Sequence, residues 1–198
     1  MTLTMDLGAR SYDIIVERGV LKEAGSLLNL NRKCLIVTDA GVPKQYSETV
    51  AAQCKDPVIV TVGIGEGSKS FPVFEMLCKK MLELDFHRSD CVIAVGGGVV
   101  GDLAGFAAAS FMRGIDFYNL PTTVLSQVDS SIGGKVAINL EHVKNILTGP
   151  RRWLFGQGLR VHPDPRPTWR VGGAGTRGGS SMYYSWLCWV SVAVWAFL

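Results

Sequence analysis

The amino-acid sequence predicts an α/β fold in which a mostly parallel sheet is flanked by helices. Three observations carry this prediction. Short apolar runs recur over residues 34–120, and between them lie segments whose apolar residues have helical spacing. One run, CVIAV (91–95), is apolar without interruption, as expected of a strand buried on both faces. The GGGVVGD that follows it puts a tight turn at the carboxyl end of a strand, where sheets of this kind bind ligands.

The elements follow in chain order. Thr2–Leu7 and Tyr12–Glu17 alternate apolar and polar residues on either side of Gly-Ala-Arg, which predicts an opening hairpin or strand pair. Val20–Leu28 has helical spacing. CLIVTD (34–39) reads as a strand, with a helix expected from about Val42 to Cys54. PVIVTV (57–62) is the next strand, and the helix after it, Phe71–Leu84, has Phe71, Phe74, Leu77, Cys78 and Met81 at helical spacing. After CVIAV come a small-residue helix over about Gly101–Phe111, a strand at IDFYNL (115–120) and a helix over Thr122–Val128.

Composition narrows the function. The chain has 198 residues, enough to bury a core, and a formal net charge of +3. Its basic residues are scattered and form no stripe along which a nucleic-acid backbone could run, so no nucleic-acid partner is expected. Cys34, Cys54, Cys78, Cys91 and Cys188 form no CxxC pair, and four of them lie in apolar segments. They read as reduced structural thiols of a cytoplasmic protein. The N-terminal MTLTMDLGARSYDIIVERG has no basic stretch leading into an apolar run, so no secretion signal is expected.

The composition changes near residue 150. Every Trp follows that point, every Lys precedes it, and Asp164 is the only acidic residue after it. The sequence therefore divides into an α/β domain, 1–148, and a tail, 149–198, expected to be disordered or off-frame. Residues 182–198 carry no charge, but they are short for a bilayer span and rich in Trp, Tyr and Ser, so no membrane partner is expected.

The residues expected at the strand ends carry the chemistry. Asp39 ends its strand and suits either a ribose diol or the cap of the next helix. GIGEGSKS brings Glu66 and Lys69 together among glycines, as a ligand loop or a surface turn would. GGGVVGD follows a strand and opens a helix, so its amides and the helix's positive end suit an anion. It comes late in the chain, however, and the best ribose acid, Asp39, precedes it. This is the reverse of the ordinary dinucleotide unit. Thr122 and Thr123, then Asp129, Ser130, Ser131 and Lys135, with Arg113 and Lys144, suggest a pocket for an anionic, hydroxyl-rich substrate.

In this order, VTD, GEGSK, GGGVVGD, MRG, LPTT, QVDSSIGGK and KN resemble the N-terminal NAD-binding half of the 3-dehydroquinate synthases and their sugar phosphate cyclase relatives, over about residues 1–148. The resemblance implies a Rossmann-like first domain and a lyase of the shikimate pathway. Such an enzyme converts 3-deoxy-arabino-heptulosonate 7-phosphate to 3-dehydroquinate and phosphate, with tightly held NAD and a divalent metal, zinc or cobalt. It also implies a cytoplasmic homodimer. By the same resemblance Asp39 contacts the adenosine ribose, and Gly65, Glu66 and Lys69 form a second cofactor loop. The backbone of Gly97, Gly98, Val99, Val100 and Gly101 wraps the pyrophosphate with Asp102 nearby, and Thr122 and Thr123 reach the nicotinamide side. Asp129 and Lys135 fall between cofactor and substrate, while Arg113, Lys144 and Asn145 hold the substrate's phosphate or carboxylate. Lys135 and Lys144 also count among the cofactor contacts.

The sequence departs from the family pattern at Ile64, where Asp is common before Gly-Glu, and at Val143, where Gly usually precedes Lys-Asn. The family's metal ligands, one Glu and two His of a second, helical domain, are expected to be missing, because His87, His142 and His162 match none of them. The chain alone is accordingly expected to turn over little. Three other readings fit parts of the pattern: a cyclase for another sugar phosphate, a glycerol-dehydrogenase-like alcohol dehydrogenase, and a non-catalytic NAD-binding module.

Overall fold

Four parallel strands lie in the order β4-β3-β5-β6: β3 is Lys33–Asp39, β4 Asp56–Val62, β5 Cys91–Gly96 and β6 Asp116–Pro121. They come from a computed structural model, which describes residues 2–6, 11–132, 135–141, 143–150 and 158–162. The register aligns Cys34 with Cys91 and Gly96 with Pro121, so the carboxyl ends of β3, β5 and β6 share one edge. Side chains alternate across the sheet and divide the core in two. On one face Leu35, Val37, Val92, Ala94 and Phe117 pack against α3 (Phe71–Glu83) and α4 (Gly98–Ser110). On the other, Ile36, Ile93, Val95 and Leu120 meet α1 (Ala24–Leu27), Val50 of α2 (Lys44–Ala51) and Ile15. Ile15 belongs to β2 (Tyr12–Arg18), which is antiparallel to β1 (Thr2–Met5) in the expected opening hairpin.

The interior strands have the uninterrupted apolar character that burial on two faces demands, and each full burial of a Leu or Ile is worth about 1.5–3 kcal/mol. By contrast β4, at the sheet edge, alternates between exposed and half-buried positions. Small residues let α4 lie close to its neighbours. A Cβ on Gly105 would stand 2.6 Å from Val136 Cγ1 and 3.3 Å from Phe117.

Three boundaries differ from the sequence reading. α2 begins after Pro43, whose fixed φ suits the start of a helix and which lacks an amide hydrogen to satisfy. α4 begins at Gly98, three residues early, because glycine fits the crowded turn and the helix starts directly from β5. The helix expected over Thr122–Val128 is confined to a short turn that widens into a π-type turn, Ser126–Ser130. An unexpected hairpin follows, β7 (Lys135–Leu140) against β8 (Val143–Pro150), and β9 (Gly158–His162) pairs parallel with β2.

Among the described residues no helix is long and apolar enough to cross a membrane. The Trp-rich stretch from residue 163, including 182–198, lies outside the described residues, as do Gly133, Gly134, His142 and the Lys135 side chain.

Candidate functional site

The glycine turn joins β5 to α4 at the carboxyl edge of the sheet. Gly97 precedes α4 and no side chain caps the helix, so its first amides are left to a ligand or to water. The turn tolerates little bulk: a Cβ on Gly98 would stand 2.9 Å from Ser130 Oγ, and one on Gly101 would stand 3.3 Å from the Asn119 side chain. Asn119, buried on β6, donates to Ser131 Oγ at 3.2 Å and so ties the strand to the turn after Asp129. Thr122 N–H donates to the Gly96 carbonyl at 2.9 Å, which holds the next strand's loop beside the glycines. Thr123 and Ser126 cap each other: Ser126 N–H donates to Thr123 Oγ1 at 3.1 Å and Thr123 N–H to Ser126 Oγ at 3.2 Å.

Beside this turn stands a buried cation. Lys69, whose side chain is 5% exposed, reaches Asp102 Oδ2 at 2.5 Å from the 3-10 turn Glu66–Ser68. Its ammonium also donates to Asn145 Oδ1 and lies 4.0 Å from Glu66 Oε1. Gly65 starts the turn at φ 85°, a left-handed conformation that favours glycine. Asn139 completes the cluster by donating to Glu66 Oε1 and accepting from Asn145 N–H, both at 2.9 Å. Asp102 sits inside the first turns of α4, where its charge alone would oppose an anion at the helix start. The Lys69 ammonium compensates that charge.

Asp39 ends β3 and accepts the Gly41 N–H at 2.7 Å. Since α2 starts from Pro43 without a side-chain cap, Asp39 closes a turn and does not cap that helix. One residue earlier, paired with Val95, Thr38 holds a buried hydroxyl with no partner among the described residues. Such an oxygen costs about 1–3 kcal/mol when unmatched, so a polar partner at this edge would relieve it.

The structure gathers Asp39, Gly65, Glu66, Lys69, Gly97–Gly101, Asp102, Thr122, Thr123 and Asn145 on the loops of the carboxyl edge and the hairpin bonded to them. Asp129 is exposed on the π-type turn, and Lys144 is exposed on β8 next to Asn145. Arg113 is not brought to them. It follows the end of α4, about 20 Å along the helix from Gly98, and so stands toward the opposite edge of the sheet. Met112 (φ 48°), Arg113 (φ 70°) and Gly114 (φ 110°) are successive left-handed residues there. Asn139, Asn119 and Thr38 were not singled out by sequence. Their signal is weak, a small polar residue toward the carboxyl end of a strand whose middle is largely apolar.

Among the described residues no group of three His, Cys, Asp or Glu side chains is placed to hold a metal. A dinucleotide fits better, given the uncapped helix start, the crowded glycines and the orphaned Thr38 hydroxyl.

Comparison with known proteins matches residues 59–150 to the family model for the N-terminal region of 3-dehydroquinate synthase. The 3-dehydroquinate synthase of Caulobacter vibrioides is 44% identical over 154 residues, which are 74% of this chain and 42% of that protein. The chain thus spans less than half the length of such relatives. A solved 2-deoxy-scyllo-inosose synthase, complexed with carbaglucose-6-phosphate, NAD+ and Co2+, is 25% identical with a TM-score of 0.74, over 82% of this chain and 46% of that one. The 2-epi-5-epi-valiolone synthase of Streptomyces hygroscopicus subsp. jinggangensis, solved with NAD+ and Zn2+, is 27% identical with a TM-score of 0.66, covering 80% and 44%.

Proposed function

We propose that the chain belongs, through its N-terminal region, to the 3-dehydroquinate synthase family, and that residues 1–148 form the NAD-binding half of such an enzyme. The match of residues 59–150 to that family's N-terminal model and the 44% identity to the Caulobacter vibrioides synthase support this reading. The reaction is the conversion of 3-deoxy-arabino-heptulosonate 7-phosphate to 3-dehydroquinate and phosphate. The observation that carries this reading is the uncapped, glycine-started α4 at the end of β5, with the Lys69–Asp102 pair beside it. The amides of Gly98, Val99 and Val100 face a pyrophosphate with the positive end of the helix, equivalent to about half a unit charge. Gly97 and Gly101 allow the backbone to come close. Asp39 accepts from the ribose diol, and Glu66 and Lys69 form the second cofactor loop with Gly65. Thr122 and Thr123 border the nicotinamide.

When bound, NAD supplies a hydride acceptor that oxidises one substrate alcohol, acidifies the neighbouring C–H and is restored within the turnover. The chain's own residues bind and orient. Lys144 and Asn145 offer a cation and an amide to the substrate's phosphate or carboxylate, while Asp129 and Lys135 supply a carboxylate and an ammonium between cofactor and substrate. Arg113 receives no role within one copy of the site. The described residues supply no metal centre, so no step here runs through the zinc or cobalt of the relatives. The proposed setting is a cytoplasmic homodimer. Cys34, Cys54, Cys78 and Cys91 are free thiols, which fits a reducing compartment.

Hydrogen–deuterium exchange with and without NAD tests the placement. The expected result is protection of amides in Gly97–Asp102 and at Thr122 and Thr123. Protection confined to other segments, or none at all, would contradict it.

A further inference from the structure

Asn139 has no part in the roles above, yet it joins the two loops that frame Lys69. Its main-chain N–H donates to the Lys69 carbonyl at 2.8 Å, continuing a bridge between Ser70 and Asn139. Its Nδ2 donates to Glu66 Oε1 and its Oδ1 accepts from Asn145 N–H, both at 2.9 Å. Asn145 needs such a hold. It sits inside β8 at φ 55°, an unusual conformation for a residue with a side chain, and from there its own amide oxygen accepts from Lys69. One side chain thus fixes both the Glu66–Lys69 turn and the residue that partners its ammonium.

A carboxamide suits the position. It must donate toward a carboxylate and accept from a backbone amide at the same time. An ionised Asp keeps the acceptor but loses the donor and sets a second negative charge against Glu66, while a Leu of similar size does neither.

We propose that Asn139 is a positioning residue that clasps the Glu66–Lys69 turn to the β7–β8 hairpin, and so sets the Lys69 ammonium where an anionic cofactor is held. The clasp itself is a property of the fold; its link to cofactor affinity rests on the NAD reading above.

Two measurements on the whole chain test it. The first is acylation of lysines by an N-hydroxysuccinimide ester, read by mass spectrometry with the exposed Lys79 as internal reference. In the unaltered chain Lys69 is expected to be protected, and in Asn139→Leu and Asn139→Asp it becomes several-fold more reactive. The second is NAD affinity, expected to fall about tenfold or more in both variants at about pH 8. In Asn139→Asp affinity returns toward that of the unaltered chain as the pH is lowered to about 5, because protonation of the introduced carboxyl restores a donor at this position. Among the described residues, Lys69 and Asp102 are the other charges bonded into the cluster, and both are intact in every variant. A merely structural role would lower the melting temperature without this pH-dependent recovery.

Unchanged Lys69 reactivity and unchanged NAD affinity in folded variants would overturn the proposal. Should Asn139→Leu fail to fold, the nearly isosteric Asn139→Asp decides alone. An unaltered chain that binds no NAD, with variants that still expose Lys69, would uphold the clasp and overturn the functional reading instead.

Discussion

The two ends of the parallel sheet each bury a cation, and the two are held in different ways. At the amino end, the Arg32 guanidinium donates to the carbonyls of Asn29 and Ser89 and to the Tyr118 hydroxyl, each at 2.8 Å, and pairs with Asp116 at 2.6 Å. Its partners are backbone or sit on β6, and its planar fork is filled by groups that the fold fixes in place. At the carboxyl end, Lys69 is a point charge whose partners among the described residues are the side chains of Asp102, Asn145 and Glu66, beside a helix start without a side-chain cap. The first arrangement staples strands together. The second leaves a compensated charge next to unsatisfied amides, as a ligand site requires.

Arg32→Leu should show the largest effect on stability. It strands the Asp116 carboxylate, and because that group is about a third exposed the expected loss is about 2–3 kcal/mol in urea unfolding, below the full range for a buried pair. NAD affinity should stay within about threefold, since the site lies at the other edge. An Arg32→Leu chain that keeps its stability but loses NAD would erase the distinction between the two ends.

Two glycines of α4 sharpen the comparison within a single helix. Gly105→Ala would drive a Cβ against Val136 and Phe117, with an expected loss of about 2 kcal/mol in the same unfolding assay. Gly98→Ala instead meets the Ser130 hydroxyl at the site, and the expected effect is on NAD affinity, about tenfold by titration, with a change in stability below about 1 kcal/mol.

The smallest effect concerns thiol chemistry. Burial pushes the Cys78 thiol up to about 11, whereas a hydrogen bond from Cys34 shifts Cys54 down. The thiolate is the reactive form, so near pH 8 Cys54 should alkylate faster than Cys78, by about an order of magnitude, in timed iodoacetamide labelling. Equal rates would show that the thiols on the two faces of the sheet, Cys78 on one and Cys54 on the other, are not held as the structure has them.

How far the sequence reached follows the same division. β3, β5 and β6 were legible because burial on two faces leaves them little but apolar residues, and the opening hairpin was legible from its alternation. The glycine turn was legible because close backbone approach excludes side chains. The β7–β8 hairpin was not, since Val136, Ala137 and Ile138 follow directly on a polar, glycine-bearing segment and read as its continuation. Nor was Asn139, whose importance arises from a pairing with Glu66 across 73 positions of chain that no local pattern records. Arg113 shows how nearness in sequence differs from nearness within one copy of the fold: α4 and β6 run in opposite senses and carry it to the other edge, away from Thr122.

Calorimetric titration of NAD into the unaltered chain, Lys69→Met and Arg32→Lys tests the central claim most directly. The expected result is saturable binding near one NAD per chain, weakened about a hundredfold or more in Lys69→Met and little changed in Arg32→Lys. No binding by the unaltered chain, or equal binding by Lys69→Met, would contradict a cofactor site built around the Lys69 ammonium and the start of α4.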